Sequence, residues 1–365
     1  MNKIAIITDS HFGARGDRQV LLDHFERFYS NIFFPEIEKR KIHTVWHLGD
    51  LVDRRKFVNF NTLETMKNVF LDPLLRKCNA HFVMGNHDQY YKNKISPNAL
   101  DELLKEYTTD HYNNRFDCHV YTEPQVIDKC WGDITVIPWI CEQTREAATK
   151  LIQEAHTRYC FGHLEMRGHQ MSKGQYCHEG DDLADYSKFD MVLTGHFHHK
   201  SSFNNLHYLG APYEMTWVDY EDSKGFHILD LDTGELEFIE NPYRLFYKFV
   251  YNDTEKPFQK LLEEIEQKPH LQNGFVKVIV RDKTNEFLFD QFIDKLNAIG
   301  VSDLQVVEDH FHMDLEPDDV IIEQAQSTIE ILHKYVQNHV HANVDIQELE
   351  TLLKQLYDEA EVLRI

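Results

Sequence analysis

Glycine and proline are scarce, with 15 and 10 in 365 residues, which excludes collagen-like and low-complexity chains. Long apolar runs are missing as well: none approaches the ~18–20 residues of a membrane-spanning helix. The six cysteines (Cys78, Cys118, Cys130, Cys141, Cys160, Cys177) lie scattered, without a Cys-x-x-Cys pair. They read as reduced thiols, and a cytoplasmic protein is expected. The opening MNKIAIITDS lacks a basic region, a long apolar stretch and a small-residue cleavage site. It is expected to form a first strand rather than a signal peptide. Basic residues are also short, 38 against 61 acids, for a net charge of −23. That balance argues against a protein that coats nucleic acid through bulk charge, although it leaves room for a local basic groove. The deficit is concentrated at one end, since residues 301–365 hold 15 acids and 3 bases.

What is present is the mix of a well-packed globular chain, 42% hydrophobic and 12% aromatic. At roughly 150 residues per domain its length suggests two or three domains. Histidine is in surplus, with 23 residues, which directs attention to metal ligands.

Up to about residue 242 the chain alternates short apolar runs with amphipathic stretches, the rhythm of a layered α/β domain. Strands are expected at Lys3–Thr8, Thr44–Leu48, His81–Met84, Ile134–Trp139, Arg158–Phe161, Met191–Thr194, Asn205–Leu209 and Phe226–Asp230. Helices are expected at Val20–Lys39 and Asn61–Leu75. A smaller α+β unit over residues 243–310 follows in the order strand (Leu245–Tyr251), helix (Pro257–Gln267), strand (Phe275–Arg281), helix (Glu286–Ile299), strand (Leu304–Val307). Pro257, Pro269 and Gly300 punctuate its helices. Residues 311–365 read as a helical tail. In it Ile346, Leu349, Leu353, Leu356, Ala360 and Leu363 form a short a/d seam that either packs on its own domain or docks on a helical partner.

The chemistry lies at strand ends. Five apolar runs finish in polar residues of ligand type: Asp9-Ser10-His11, Gly49-Asp50-Leu51-Val52-Asp53, Gly85-Asn86-His87-Asp88, Gly162-His163 and Gly195-His196-Phe197-His198-His199. In α/β sheets, loops beyond the carboxyl ends of strands converge, so distant residues meet there. Glycine precedes the ligand in four of the five turns and permits close backbone approach. Two aspartates, an asparagine and four histidines make an oxygen/nitrogen set too large for one tetrahedral ion. The set suits two divalent ions sharing a carboxylate at roughly 3.5–4 Å. His199, His47, His169 and His178 are expected outside the ligand set, and Asp88 is expected to fix its turn.

These five motifs, intact and in order, resemble the signature of the calcineurin-like metallophosphoesterase superfamily. The resemblance implies an α/β (layered α+β) fold, a two-layered β-sandwich flanked by helices with a dimetal site at one edge. One ion would take Asp9, His11, Asp50 and His198, and the other Asp50, Asn86, His163 and His196. His87 would be the catalytic histidine, oriented by Asp53. The run Gly49-Asp50-Leu51-Val52-Asp53-Arg54 is similar to the phosphoprotein phosphatase motif. Arg55 replaces that motif's final glycine, however, and Asp88 replaces the Glu of Gly-Asn-His-Glu. The layout of phosphoesterase domain, α+β cap and helical tail is similar to SbcD-type DNA-repair nucleases, and most like their bacteriophage members.

That likeness implies a homodimeric, Mn²⁺-dependent DNA nuclease, with Mg²⁺ as the alternative ion. It would have 3′-to-5′ exonuclease and single-strand endonuclease activity, and would work with an SMC-like coiled-coil ATPase docked on the tail. Arg54, Arg55 and Lys56, with Arg15 and Arg18, could steer a DNA backbone to the metals, and Lys92 and Lys94 flank the third motif similarly. The alternatives are a phosphodiesterase or phosphatase acting on nucleotides or phosphoproteins, and a scaffold subunit for the ATPase.

Overall fold

The computed structural model describes residues 2–108, 116–128, 132–172 and 175–308. The chain divides into a compact unit, Met1–Met313, and a second unit, Asp314–Ile365. The tail helix and its seam therefore lie outside the described residues. Among the described residues no helix is long and apolar enough to cross a membrane.

The strands run β1 (Lys3–Ile7), β2 (Thr44–His47), β3 (Asn79–Val83), β4 (Cys118–Tyr121), β5 (Gln125–Ile127), β6 (Ile134–Ile137), β7 (Tyr159–His163), β8 (Gln170–Ser172), β9 (Gln175–Tyr176), β10 (Met191–Gly195), β11 (Ser201–Phe203), β12 (Leu206–Tyr208), β13 (Gly225–Asp230), β14 (Leu236–Glu240), β15 (Phe246–Asn252), β16 (Phe275–Asp282) and β17 (Asp303–Glu308). Two six-stranded sheets form, in the orders β14-β13-β1-β2-β3-β4 and β11-β12-β10-β7-β6-β5. Both are mixed: β1 to β4 run parallel while β13 is antiparallel to both of its neighbours, and β12, β10, β7 and β6 run parallel between the antiparallel edge strands β11 and β5.

Alternation along β1 shows why the layers stack. Ile4 and Ile6 join Trp46, Val83, Val136, Phe161 and Leu193 in a core drawn from both sheets. Ala5 and Ile7 point the other way, toward Leu21, Phe25, Phe28, Phe70 and Leu74 on the flanking helices. With both faces covered, the strand must be apolar at consecutive positions, and Ile4-Ala5-Ile6-Ile7 is. Each such side chain removed from water contributes about 1.5–3 kcal/mol. The second sheet is covered on its outer face by Ala148 and Ile152 of the helix Arg145–Glu154.

The expected helix Val20–Lys39 is present as Gln19–Phe28 and Phe34–Lys39, joined by a wider π turn at Tyr29–Phe33. Asn61–Leu75 is likewise interrupted at Lys67–Leu71. Pro35 and Pro73 explain both interruptions. Each proline ring crowds the carbonyl four residues back, Asn31 or Val69, which lies inside the widened turn.

Strands β8 and β9 pair with each other in an antiparallel ribbon, and the last three strands make a parallel sheet, β15-β16-β17, with helices Phe258–Glu266 and Glu286–Ile299 on one face. Asn285 caps the second helix by accepting the Leu288 amide at 3.2 Å, and Gly300 ends it in the left-handed conformation (φ 82°). Phe246 and Phe275 belong to the core of the larger layers. Arg15 lies over both rings, 5.7 and 4.9 Å from their centroids. Glu214 accepts the Leu245 and Phe246 amides at 2.6 and 3.0 Å. These contacts explain why the small sheet does not separate as a unit of its own.

Candidate metal centre

All five strand-end motifs meet at one edge of the sandwich. Parallel pairing aligns the ends of β1, β2 and β3 (Ile7 opposite His47, His47 opposite Phe82), and Gly195 stands opposite His163 on the other sheet. Asp9 joins the sheets directly, its carboxylate accepting the His196 amide at 3.1 Å.

Close packing explains the glycines. A Cβ on Gly85 would lie 2.2 Å from Asp50 Oδ1, and one on Gly195 would lie 2.0 Å from Thr8 Oγ1. The backbone is also strained where the donors sit. Asp9, His11, Asp50 and His196 all have positive φ (52°, 43°, 56° and 92°), a conformation that non-glycine residues adopt at a cost of about 1–3 kcal/mol each. Such strain persists only when surrounding contacts over-determine it. Here Asp88 does so: buried, it accepts the amides of Gly85, Asp50, Leu51 and Val52 at 2.8, 3.0, 3.0 and 3.4 Å. Asp88 thus fixes the turns, as the sequence suggests.

The side chains converge in two groups. Asp9, His11 and His198 form one, and Asp50, His163 and His196 the other. His11 Nε2 lies 3.0 Å from His198 Nε2 and 3.9 Å from Asp9 Oδ1. Asn86 Oδ1 lies 3.0 Å from His163 Nε2 and 3.1 Å from His196 Nδ1. Asp50 Oδ2 stands between the groups, 3.6 Å from His11 Nε2 and 3.3 Å from His163 Nε2. Two ligands at ~2.1 Å from one ion lie from about 3.0 Å apart to about 4.2 Å when opposite, and all of these spacings fall within that range, so each group could hold a divalent ion.

The electrostatics agree. Burial pushes His11 and His198 below the ordinary histidine value, leaving neutral imidazoles able to donate lone pairs. Burial acts on His163 in the same direction, but the Asp50 carboxylate outweighs it and holds this ring up to about 9.

His87 stands at the edge of the ligand groups, its ring 4.7 Å from that of His11. Its amide is held by Asp50 Oδ1 at 2.8 Å, and its Nδ1 donates to the main-chain carbonyl of Asp53 at 2.5 Å. Asp53 therefore meets His87 through its backbone, while its carboxylate turns to His11 Nδ1 at 3.6 Å. His11, Asp53 and His87 make a third, overlapping group of donors.

The basic residues separate. Arg54 pairs with Asp17 at 2.9 Å and covers Phe57. Arg15 and Arg18 lie over Phe275, Arg18 at 5.6 Å. Lys56 is exposed, and Arg55 is half-buried with Nε and Nη1 lacking hydrogen-bond partners. His47 is buried in its strand, bonded to Ser10 Oγ at 2.8 Å, and His199 pairs with Asp222 at 2.8 Å.

Sequence reading missed three supporting residues. Trp139 packs its ring 4.9 Å from that of His196. Glu165 lies 3.6 Å from the same histidine. Buried Lys224 donates to the His198 carbonyl at 2.7 Å. Glu165 had a signal in its position two residues past His163, whereas nothing in the local pattern marks Lys224.

Residues 2–200 match the family model described as calcineurin-like phosphoesterase. The chain is 29% identical over 373 aligned positions to exonuclease subunit 1 of Enterobacteria phage T4, covering 98% of this chain and 99% of that protein. It is 25% identical over 152 positions to the SbcD component of the SbcCD nuclease of Staphylococcus epidermidis, covering 40% and 37%. Among solved structures, an archaeal phosphodiesterase aligns with 66% of this chain and 99% of its own, at 16% identity and a TM-score of 0.32.

Proposed function

The chain belongs to the calcineurin-like phosphoesterase family and is a hydrolase of phosphodiester bonds, and from that premise we propose that its substrate is DNA. The observation that carries this reading is the convergence of six donors around Asp50, in a chain similar over nearly its whole length to a phage exonuclease subunit. In the proposed assignment Asp9, His11, Asp50 and His198 hold one divalent ion, and Asp50, Asn86, His163 and His196 hold the other. Mn²⁺ is favoured over Mg²⁺ by the nitrogen-rich set. Bound there, the ions supply positive charge to a phosphate and a water that ionises near neutral pH.

The protein's own groups then divide the work. Asp50 sets the spacing of the ions. His87, its Nδ1 proton held by the Asp53 carbonyl, turns Nε2 outward as the acid that protonates the leaving oxygen. Asp53 also steadies His11. Arg54, Arg55, Lys56, Arg15 and Arg18 receive the DNA backbone.

The finer reading comprises 3′-to-5′ exonuclease action on duplex DNA and endonuclease action on single strands, in recombination, repair and replication. Residues 1–242 are the nuclease domain and residues 243–310 a cap for the DNA. Residues 311–365 are the docking segment for an SMC-like coiled-coil ATPase, and the protein works as a homodimer. Both similar proteins are named as subunits, which supports a partner.

The test is Mn²⁺-dependent digestion of end-labelled duplex and single-stranded DNA, beside a chromogenic phosphodiester, with and without the ATPase. Hydrolysis of the small ester with no cleavage of either DNA would refute a nuclease.

A further inference from the structure

Two contacts behind the histidines, one partly and one fully buried, have no part in the assignments above. The first concerns His196. Its Nδ1 faces Asn86, so Nε2 points away from the ligand group, and there it lacks a hydrogen-bond partner. The nearest acceptor is Glu165 Oε1, at 3.6 Å. Glu165 is set by its backbone: its carbonyl accepts the Asp181 amide at 2.9 Å, and a Cβ on Gly180 would strike that carbonyl at 2.3 Å. Trp139 and Phe197 pack their rings against His196, each at 4.9 Å, so its tilt is fixed and only the far nitrogen needs a partner. A carboxylate on the far nitrogen of a ligating histidine fixes its tautomer and raises its basicity.

The second contact concerns His198. Lys224 is fully buried, and its three protons are all used. Nζ donates to Asp219 Oδ1 at 2.7 Å, to Asp222 Oδ2 at 2.9 Å and to the His198 carbonyl at 2.7 Å. Asp219 is anchored by the amides of Met215 and Thr216 at 2.9 and 2.8 Å, and Asp222 by His199 at 2.8 Å. A buried charge is retained only when paired and hydrogen-bonded throughout, and this one spends its third bond on the main chain of a ligand residue.

We propose that Glu165 and Lys224 are positioning residues for different ions: Glu165 holds the His196 ring for the ion of Asp50, Asn86 and His163, and Lys224 holds the His198 loop for the ion of Asp9 and His11. The inference rests on the two-ion reading above. Its consequence is that the two ions can be loosened one at a time from behind.

Titration of the full chain with Mn²⁺, by calorimetry and by electron paramagnetic resonance, tests this. Glu165→Gln is expected to weaken one of two binding steps about 10–100-fold and spare the other. The spectrum at low Mn²⁺ should then show isolated rather than coupled ions, and Glu165→Asp should restore part of the loss. Lys224→Met should weaken the other step. If that variant melts early, Lys224→Met with Asp222→Asn removes one of the two stranded carboxylate charges, keeps the net charge of the cluster, and is titrated instead. In an Asp9→Asn background, Glu165→Gln should weaken the remaining binding step by the same factor of about 10–100, while Lys224→Met leaves that step unchanged. Equal weakening of both steps by Glu165→Gln, or of neither, overturns the proposal. A wild-type protein that takes up a single ion sinks the two-ion reading itself, and this inference with it.

Discussion

Gly85→Ala is a one-methyl change with a calculable consequence. The added Cβ would stand 2.2 Å from Asp50 Oδ1, 2.3 Å from its amide nitrogen and 2.9 Å from its Cγ. Ordinary contact begins near 3.4 Å, so something must move by about 1 Å. Asp50 cannot yield by rotating its side chain, because its backbone is also in the way. That backbone is held left-handed at φ 56° and tied to Asp88 at 3.0 Å. Either Asp50 or the Gly85–Asp88 turn therefore shifts, and with it the spacing of every donor around Asp50. Overpacking of this kind costs about 1–3 kcal/mol, which a domain stable by roughly 5–15 kcal/mol survives. Displacing a catalytic constellation by 1 Å costs about 10²-fold in rate. The variant should thus melt a few degrees early yet lose about 10²-fold in DNA cleavage, with both ions bound more weakly. Gly168→Ala is the control: a Cβ there meets nothing within 4 Å, and only its positive φ (79°) is strained. It should lower stability without touching cleavage. A Gly85→Ala protein with native ion affinity and native cleavage would refute the argument that Asp50 is the shared ligand.

His87→Ala should keep both ions and lose about 10²–10⁴-fold in hydrolysis, checked by metal analysis beside a digestion assay. Loss of an ion would instead make His87 a ligand, a role the His11–Asp53–His87 group would allow. Asp50→Asn should weaken both Mn²⁺ binding steps and Asp9→Asn chiefly one, and equal losses in calorimetric titrations of the two variants would count against the sharing. Glu214 gives a pH signature away from the centre. Burial pushes its carboxyl from 4.5 up to about 7, so the folded chain holds this proton more tightly than the unfolded one. Its stabilising effect is complete below about pH 4.5 and is lost as pH rises through 7, on the order of 3 kcal/mol. Glu214→Gln should flatten the melting temperature between pH 5 and 8, and an unchanged slope would refute the assignment.

The donors were legible because each sits immediately after an apolar run, where the run and its terminator are adjacent in sequence. All eight strands expected in the first 242 residues are present to within two residues at either end, and so is the strand–helix order of residues 243–308. The edge strands Cys118–Tyr121 and Leu236–Glu240 were not read. Edge strands bury less, and LEFIE, half-exposed for most of its length, has no continuous apolar signal. The helix Ala99–Thr108 was missed for a similar reason, its face resting on only Leu100, Leu104 and Tyr107. Lys224 was invisible because its meaning is tertiary. A lysine between Ser223 and Gly225 looks solvated until Asp219, Asp222 and the His198 carbonyl are brought around it.

The sheet order has a consequence in time. β1 leaves the ribosome first, yet its neighbour on one side is β13, some 220 residues later in the chain. Asp9 likewise waits for His196, and the Ser10 carbonyl for the Tyr213 hydroxyl at 2.7 Å. Contacts of such separation form late, after the entropy of closing a long loop has been met. A nascent or prematurely terminated chain that ends before about residue 230 holds Asp9, His11, Asp50 and Asn86 but has no completed first sheet to present them. The metal-binding edge is thus assembled only after the chain has grown past β13, though about 135 residues before its last.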